Sequence, residues 1–406
     1  IRKPLFWLYY LPIILAKPII KFWYKHKIER INIRGVKSPV LALANHASTM
    51  DIVFAALALF PKRFNIVAAK DLFTWPKLKP FIVRFGAIAK NQMSMDVNAL
   101  RQMKATLKNN QNVLVFPEGK TCIDGKGMEH LPANIGKFVK MMDSNVVIVN
   151  TNGSFLTKPR WFHGVKRGKV ESKVYQLLSQ EELRKLSAKE VYEKVAEALS
   201  YNDNIWQREN NVEFTHKNYA KGMEYVLYKC PKCGAEYQMS TDANYLTCAN
   251  CGNKVVYTSL GYLLPAEKDS KSIDRIDLWA DMEREEVLKE IQNEDFSICK
   301  KVILKELDHE NAEYIETGEG ELYINRKVIG YKGTRDGKDF VLEQALKNLN
   351  TIITKNQEGV DLVEGDGVFR CLFTEHKWSA KYGFIVEQIY ALENNLIDPA
   401  LLEKIK

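Results

Sequence analysis

The residues best able to do chemistry in this chain lie in the segment 45–51, whose sequence is NHASTMD. His46 precedes Asp51 by five residues, and the apolar stretch Val40–Ala44 predicts a strand just before them. If Asp51 lies in the first turn of the next helix, it can hold one imidazole nitrogen and leave the other to accept a proton. Such a base suits the activation of an alcohol, because a hydroxyl group is a poor nucleophile near neutral pH.

A second segment with chemical potential, residues 116–121, reads FPEGKT and follows another apolar stretch, Asn112–Val115. Both segments therefore follow predicted strands, and α/β sheets usually bind their ligands at the carboxyl ends of the strands. Glu118 could accept hydrogen bonds from substrate hydroxyl groups, and Gly119 lets a substrate approach the backbone closely. Taken alone, Asp51 could be only a helix-capping acid, and the second segment could be only a turn that ends a strand. The two segments in this order, each after a strand, predict one site.

The two segments together resemble the motifs of the glycerolipid acyltransferases, the lysophosphatidate acyltransferase family. The resemblance covers about residues 35–175. It implies that His46 is the general base, that Asp51 orients it, and that Glu118 and Gly119 shape the acceptor site. In this family an acyl chain moves from a thioester to a glycerol hydroxyl at a membrane surface. A thioester is already activated, so no covalent acyl-enzyme is required.

Phosphate recognition departs from the family's pattern, because the arginine expected in the third motif is absent. The matching segment, residues 86–92, reads GAIAKNQ and offers Lys90 instead, while Lys120 follows the Glu-Gly pair. A lysine can hold a phosphate as a point charge but lacks the bidentate fork of arginine. Arg160, which follows a loosely matched fourth motif at Val146–Asn150, could reach a phosphate or the nucleotide of the donor. We therefore predict Lys90, Lys120 and Arg160 as further substrate-binding residues.

Four of the seven cysteines form two Cys-x-x-Cys pairs, Cys230 with Cys233 and Cys248 with Cys251. Two such pairs with 14 residues between them suit tetrahedral Zn²⁺ held by four thiolates, as in a zinc ribbon. Four sulfur ligands leave no open position, so the ion is expected to be structural. The scattered remaining cysteines fit free thiols in a reducing compartment. The residues between the pairs include two acids and no lysine or arginine, which argues against nucleic acid as a partner.

The amino-terminal residues 1–30 predict a helical anchor that lies in one leaflet of a membrane. The apolar run within residues 4–24 is shorter than the roughly 20 residues that span a bilayer. Pro12 and Pro18 are expected to break any single helix. Tryptophan and tyrosine settle at the level of lipid headgroups, and seven lysine and arginine residues in this segment could meet anionic lipid. The alternative is a hydrophobic helix packed on the protein.

The elements that must position these residues suggest several domains, as expected for 406 residues. Strands alternate with helices in residues 31–175, which predicts an α/β fold with a largely parallel sheet flanked by helices. Short strands with turn signals fill residues 302–373, and a helix follows at 378–392, a pattern that resembles a pleckstrin-homology-type barrel. The predicted domains are a membrane-interfacial anchor (1–30), an acyltransferase domain (31–222), a zinc ribbon (223–265) and a carboxyl-terminal, mostly antiparallel β domain closed by a helix (266–406).

The composition narrows the function without fixing it. A net charge of +9 favours an anionic partner: a lipid surface, a phosphorylated substrate or a nucleic acid. The sequence contains no Gly-x-Ser-x-Gly nucleophile elbow, P-loop, dinucleotide fingerprint or His-Glu-x-x-His metal site. The absence of these motifs argues against a nucleophile-elbow hydrolase, a P-loop nucleotide-binding protein, a dinucleotide-binding enzyme and a zinc protease of the His-Glu-x-x-His type.

The sequence thus predicts an acyltransferase on the cytoplasmic side of a membrane, held there peripherally or monotopically. The expected donor is acyl-CoA or acyl carrier protein, and the expected acceptor is a lysophospholipid, with 1-acylglycerol 3-phosphate as the first choice and phosphatidic acid as its product. No cofactor beyond the donor and a structural zinc ion is expected. Two alternatives stay open: an acyltransferase for another lysolipid, and a non-catalytic scaffold that binds lipid or nucleic acid.

Overall fold

The computed structural model describes residues 3–92, 96–308, 313–355, 358–365, 367–375 and 378–405. The chain divides into two compact units. Unit 1 contains residues 1–160, 164–216 and 259–261, and unit 2 contains residues 161–163, 217–258 and 262–406.

Unit 1 alternates helices with strands. Its helices are α1 (Phe6–Tyr24), α2 (Asp51–Leu59), α3 (Lys79–Arg84), α4 (Val97–Lys108), α5 (Ile135–Met142), α6 (Ser154–Thr157), α7 (Gln180–Lys185), α8 (Ala188–Leu199) and α9 (Asp203–Glu209). Its strands are β1 (Lys27–Ile31), β2 (Val40–Ala44), β3 (Phe64–Ala69), β4 (Ile88–Lys90), β5 (Asn112–Val115), β6 (Asn145–Asn152) and β7 (Glu171–Leu178).

The strands of unit 1 form one mixed sheet in the order β1-β7-β6-β2-β5-β3-β4. Strands β6 and β7 pair antiparallel, and the other neighbouring pairs are parallel. The predicted α/β fold with a largely parallel sheet is therefore confirmed. Every residue of β2 and β5 is buried, as expected for central strands with both faces covered.

The two faces of β2 show why this strand is apolar throughout. Successive side chains of a strand point to opposite faces, so Leu41 and Leu43 lie on one side and Val40, Ala42 and Ala44 on the other. The first face packs in a cluster with buried residues of α4, α5 and α8, and the second packs in a cluster with buried residues of α2. Both ends of β2 are thereby fixed within the core, including the end that leads to His46.

Helix α1 runs without interruption through Pro12 and Pro18, so the prediction that these prolines break the helix is wrong. Each proline removes one hydrogen bond of the helix, but burial of one side compensates for the loss. The buried residues of α1 recur on that side, where they pack with Phe54 and Leu57 of α2: Tyr9, Ile13, Ile20 and Tyr24. Within the described part of the chain, no helix combines the length and the apolar character needed to cross a bilayer.

Unit 2 contains two antiparallel sheets. Its strands are β8 (Met239–Asp242), β9 (Tyr245–Cys248), β10 (Lys254–Tyr257), β11 (Leu263–Pro265), β12 (Ser297–Asp308), β13 (Glu313–Asn325), β14 (Val328–Arg335), β15 (Lys338–Ala345), β16 (Ile353–Lys355), β17 (Gly359–Glu364) and β18 (Gly367–Phe373). Its helices are α10 (Ile276–Glu290), α11 (Ser379–Glu393) and α12 (Pro399–Ile405).

The smaller sheet of unit 2 has the order β11-β10-β9-β8, and the larger one has the order β15-β14-β13-β12-β18-β17-β16. The larger sheet curls, since Gln344 on β15 donates a hydrogen bond of 2.7 Å to the carbonyl oxygen of Val363 on β17. Helix α11 packs on it, and the Tyr382 hydroxyl donates to the carbonyl oxygen of Leu322 at 3.0 Å. An antiparallel β domain with a helix is thus confirmed, while the pleckstrin-homology likeness stays a prediction.

A nearly buried lysine joins distant parts of unit 2. Lys381, on α11, is 5% exposed. Its ammonium group donates to both oxygens of Glu236, at 3.0 and 2.9 Å, and to Glu290 at the end of α10, at 2.9 Å. Two carboxylates compensate for the cost of removing this charge from water.

Candidate functional site

The candidate catalytic pair lies at the carboxyl end of β2. His46 follows that strand and Asp51 is the first residue of α2, so the chain between them turns from sheet to helix. Nδ1 of His46 is 3.1 Å from Oδ2 of Asp51. The histidine side chain is 23% exposed and the aspartate side chain only 2%. With the proton on Nδ1, the ring donates to a buried acid, and Nε2 is the nitrogen that can accept a proton from a substrate.

The carboxylate of Asp51 is held on both oxygens. Oδ2 also accepts the backbone N–H of Ser48 at 2.7 Å, and Oδ1 accepts the hydroxyl of Ser154. A buried carboxylate needs such donors, because an unsatisfied charge away from water is costly. The network therefore fixes the orientation of the acid that faces His46.

Asn45 fixes the backbone that leads to His46. Its side-chain amide donates to the carbonyl oxygen of Thr151 at 2.9 Å and accepts the N–H of Thr151 at 2.8 Å. This pair of hydrogen bonds extends the pairing of β2 with β6 one residue past the end of β2. The sequence analysis gave Asn45 no role, because its partner Thr151 lies 106 residues away along the chain.

Glu118 contacts the backbone of His46 and is only 3% exposed. Its Oε1 accepts the backbone N–H of His46 at 2.6 Å, and the Tyr201 hydroxyl donates to Oε2 at 3.5 Å. Burial raises the pKa of Glu118 to about 7, against the opposing effect of its contacts with His46. The structure thus gives Glu118 a contact with the backbone of the base, and its predicted contact with acceptor hydroxyls stays a prediction.

The loop after Glu118 holds the other backbone group of the base. The N–H of Cys122 donates to the carbonyl oxygen of His46 at 3.1 Å. Burial raises the pKa of the Cys122 thiol well above its usual value, so this cysteine is a structural thiol rather than a nucleophile. The Phe116 ring lies against the imidazole with 4.5 Å between ring centroids. Residues of the second segment and of the loop after it therefore contact the N–H, the carbonyl oxygen and the ring of His46.

Gly119 is exposed and has a φ of +71°, a left-handed conformation that favours glycine. Its carbonyl oxygen accepts a hydrogen bond of 3.1 Å from Gln92, so the loop after β4 meets the loop after β5. Lys90, at the end of β4, donates to the carbonyl oxygen of Asn91 at 2.8 Å. Burial lowers the pKa of Lys90, and the nearby carboxylate of Asp96 opposes that shift.

The remaining predicted substrate-binding residues lie in loops close to this site. Lys120 follows Gly119 directly and is partly buried. Arg160 is also partly buried. Its loop reaches the histidine segment, because the Ser48 hydroxyl donates to the carbonyl oxygen of Lys158 at 3.2 Å. The structure thus brings His46, Asp51 and Glu118 into direct contact and leaves the substrate contacts of Lys90, Lys120 and Arg160 as predictions.

The four predicted metal ligands form a cluster in unit 2. The sulfur atoms of Cys230, Cys233, Cys248 and Cys251 all lie within 4.8 Å of one another. Cys230 and Cys251 are 3.8 Å apart, as are Cys233 and Cys248. Zn–S bonds of about 2.3 Å at tetrahedral angles place sulfur atoms about 3.8 Å apart. The cluster could therefore hold a metal ion, and its dimensions fit zinc.

The two halves of this cluster have the same local geometry. Gly234 donates its N–H to the carbonyl oxygen of Cys230, and Gly252 does so to Cys248, each at 2.9 Å. The two glycines have φ values of +73° and +70°. Such matched turns bring the two thiols of each pair to one side, as a bound ion requires.

Part of this chain resembles known proteins. A family model described as acyltransferase matches residues 22–151. The solved structure of the 1-acyl-sn-glycerophosphate (LPA) acyltransferase PlsC from Thermotoga maritima is 23% identical, covers 46% of this chain and 78% of its own, and has a TM-score of 0.37. The Ran binding domain of the nuclear complex component Nup2 from Ashbya gossypii is 16% identical, covers 25% of this chain and 95% of its own, and has a TM-score of 0.19.

None of the curated proteins compared with this chain matches it. Both TM-scores are below 0.5, so the matched segment is the stronger finding. That segment contains His46, Asp51 and Glu118, whose contacts form the site described above. Residues 22–151 therefore match the acyltransferase family, and the site lies within that match.

Proposed function

We propose that this chain transfers an acyl group from acyl-CoA or acyl carrier protein to the free hydroxyl of a lysophospholipid, with 1-acylglycerol 3-phosphate as the first choice. The observation that carries this proposal is the contact of 3.1 Å between a partly exposed His46 and a buried Asp51. This arrangement provides a base with a defined proton-accepting nitrogen. The matched family supports acyl transfer as the reaction.

In the proposed reaction, Nε2 of His46 accepts the proton of the lysolipid hydroxyl as its oxygen attacks the thioester carbonyl carbon. The resulting tetrahedral intermediate collapses, the carbon–sulfur bond breaks, and the leaving thiolate takes the proton from the imidazolium. Asp51 stabilises that imidazolium, and its hydrogen bonds from Ser48 and Ser154 keep it in place. Glu118 and Cys122 hold the backbone of His46 while this happens.

Lys90 and Lys120 are the proposed contacts for an acceptor phosphate. Lys90 ends β4 and Lys120 lies in the loop after β5, at the same edge of the sheet as His46, and the Gln92–Gly119 contact joins the loops that follow these two strands. A lysine binds phosphate in the ground state and in the transition state alike, so its loss should affect KM more than kcat. The alternative acceptor, a lysolipid without a terminal phosphate, follows from the missing arginine.

We expect the protein to release free thiol from acyl-CoA when lysophosphatidate is added. Lys90→Met should raise KM for lysophosphatidate roughly 10-fold with little change in kcat, because it removes a charged hydrogen-bond donor. Lys108→Met, at the exposed end of α4, is the matched control and should leave both unchanged. Turnover with other lysolipids but not with lysophosphatidate would favour the alternative acceptor. Failure with every lysolipid would leave a non-catalytic lipid-binding scaffold.

We also propose that unit 1 binds the anionic cytoplasmic surface of a membrane through α1. The outward side of this helix carries apolar side chains that are between 49% and 78% exposed: Phe6, Trp7, Leu11, Ile14, Leu15, Ile19, Phe22 and Trp23. Helix α3 adds Phe81, which is 55% exposed, and the N–H of Leu5 donates to the carbonyl oxygen of Arg84 at 3.2 Å. An apolar surface of this extent is rare on a protein that meets only water.

The charge distribution supports an anionic surface as the partner. Residues 1–216 contain 34 lysines and arginines against 17 acids, whereas residues 217–406 contain 25 against 33. The excess of positive charge in the part that carries α1 would attract anionic lipid headgroups over about 8 Å at physiological salt. Peripheral binding therefore combines apolar insertion with electrostatic attraction.

Replacing Trp7 and Leu15 together with aspartate should weaken binding to anionic phospholipid vesicles by at least roughly 100-fold, because each side chain contributes about 1.5–3 kcal/mol on burial. Vesicle flotation measures this binding. Val341→Asp, which places an acid at a 57% exposed apolar position of β15, is the control and should leave it unchanged. Equal binding by the double variant and the control would contradict a role for α1.

For the cysteine cluster of unit 2 we propose a structural Zn²⁺ ion. The sulfur–sulfur distances of 3.8 Å match the edge of a tetrahedral site. Four thiolates would fill the coordination sphere, so the ion would stabilise the fold around β8–β11 and take no part in acyl transfer. The acidic balance of residues 217–406 disfavours nucleic acid as a partner of this unit.

A further inference from the structure

We infer that Ser154 is a positioning residue of the acyl-transfer site, that it acts through Asp51, and that Asp203 holds it in place. This inference rests on the proposed function and deepens it. All three side chains lie in unit 1, but Ser154 and Asp203 lie outside the residues that match the acyltransferase family model.

The contact that carries the inference joins Ser154 to the acid of the catalytic pair. The Ser154 hydroxyl donates to Oδ1 of Asp51, the oxygen that does not face His46. Both residues are buried, at 0% and 2% exposure. Ser154, Asp51 and His46 therefore form a hydrogen-bonded series, in which Ser154 is the buried group that contacts the acid of the pair. A hydrogen bond to a charged group away from water is stronger than one at the surface.

The backbone around Ser154 is held in a single arrangement. Oδ1 of Asp203 accepts the N–H of Gly153, and Oδ2 accepts the N–H of Phe155, both at 2.9 Å. Gly153 has a φ of +82°, and a Cβ atom there would lie 2.5 Å from the carbonyl oxygen of Lys169. One buried carboxylate thus binds the residues on both sides of Ser154, and the glycine permits the turn.

Asp203 is itself tied to the loop that follows Glu118. Its N–H donates to the carbonyl oxygen of Gly125 at 2.8 Å, and the side chain of Asn204 donates to the carbonyl oxygen of Asp124 at 2.8 Å. The neighbouring Tyr201 donates to Glu118. The residues at the start of α9 therefore connect the turn that carries Ser154 with the loop that supports the backbone of His46.

The hydroxyl of Ser154 would affect proton transfer in two ways. It fixes the plane of the Asp51 carboxylate while the imidazolium forms, which lowers the cost of orienting that charge. It also draws negative charge away from the oxygen that faces His46. Without it, Asp51 attracts the imidazolium proton more strongly, so the base becomes proton-free only at higher pH.

Ser154→Ala should therefore lower kcat roughly 10-fold with little change in KM, because it removes a hydrogen bond to a charged group. The acid limb of the profile of kcat against pH should move up by about half a pH unit. Thr157→Ala is the matched control, since its buried hydroxyl lies on the same short helix and donates to the carbonyl oxygen of Ser154 at 2.7 Å. It should lower the melting temperature without moving the acid limb.

Two further measurements test the role of Ser154. Asp203→Asn should move the acid limb in the same direction, because the amide cannot accept from both N–H groups that flank Ser154. Proton NMR follows the titration of the His46 ring without any substrate. The ring signal is assigned by its loss in His46→Ala. In Ser154→Ala the midpoint of this titration should move to higher pH, as the acid limb does. Two results would overturn the inference. One is a folded Ser154→Ala variant in which the titration of His46 and kcat are those of the wild type. The other is an equal shift of the acid limb in Thr157→Ala.

The two proposals fail in different ways. If the wild-type chain transfers no acyl group to any lysolipid, the proposed function fails, while the titration of His46 still decides whether Ser154 acts on it. If the wild-type chain is active and Ser154→Ala matches it at every pH, the proposed function stands and the role of Ser154 fails.

Discussion

His46→Ala lowers kcat for acyl transfer by roughly 10³-fold in our expectation, and it leaves the fold intact. General-base catalysis contributes about 10²- to 10⁴-fold, and the alcohol acceptor has no other means of losing its proton in the proposed reaction. The side chain is 23% exposed and packs on the Phe116 ring, so its removal costs some packing but leaves no fully enclosed cavity. The hydrogen bonds of the His46 N–H and carbonyl groups to Glu118 and Cys122 involve the backbone and survive the substitution.

Thiol release from acyl-CoA in the presence of lysolipid measures this effect, and a melting curve checks the fold. His163→Ala removes an exposed histidine outside the site and serves as the control. Its turnover should equal that of the wild type. If kcat of His46→Ala were within a few-fold of that of the control, the proposed mechanism would be contradicted, even if the chain proved to be an acyltransferase.

The cysteine cluster gives the second large effect. Cys248→Ser should abolish stoichiometric zinc binding and lower the melting temperature of unit 2 by roughly 10 °C or more. Structural zinc contributes about 10 kcal/mol or more in small zinc modules, and about 1 kcal/mol corresponds to roughly 2–4 °C in a unit of this size. Cys248 is fully buried at the end of β9, so the loss would be felt throughout the smaller sheet.

Metal analysis of the purified protein and thermal melts with and without a chelator test this prediction. Cys299→Ser, which changes an exposed cysteine on β12 outside the cluster, is the matched control. It should retain one zinc ion per chain and melt as the wild type does. Zinc at the same stoichiometry in Cys248→Ser, with an unchanged melting temperature, would contradict a four-thiolate site.

Local patterns were enough to predict the sheet of unit 1. Strands β2 and β5 coincide with the predicted stretches Val40–Ala44 and Asn112–Val115, because strands buried on both faces are mostly apolar. The proximity of Cys230 and Cys251 was also predictable, since the spacing of thiol ligands reflects the turns that surround a metal.

Other features depended on contacts between distant residues. Helix α1 passes through Pro12 because one side packs against the protein, and no pattern within residues 1–30 reveals that partner. Ser154 lies 103 residues from Asp51, and Asp203 lies 50 residues from Gly153. Neither residue belongs to a motif with a local spacing, so their meeting depends on the order of the strands in the sheet.

The ion cluster around Lys381 bears on how this protein can be divided. Glu236 belongs to the cysteine-bearing segment, whereas Glu290 and Lys381 belong to α10 and α11. A chain cut after residue 265 would leave the nearly buried Lys381 without Glu236, whose side chain is 22% exposed, and with Glu290 as the other carboxylate of the cluster. The two sheets of unit 2 should therefore be expressed, exchanged or inherited as one piece, and the cysteine segment would make a poor portable module.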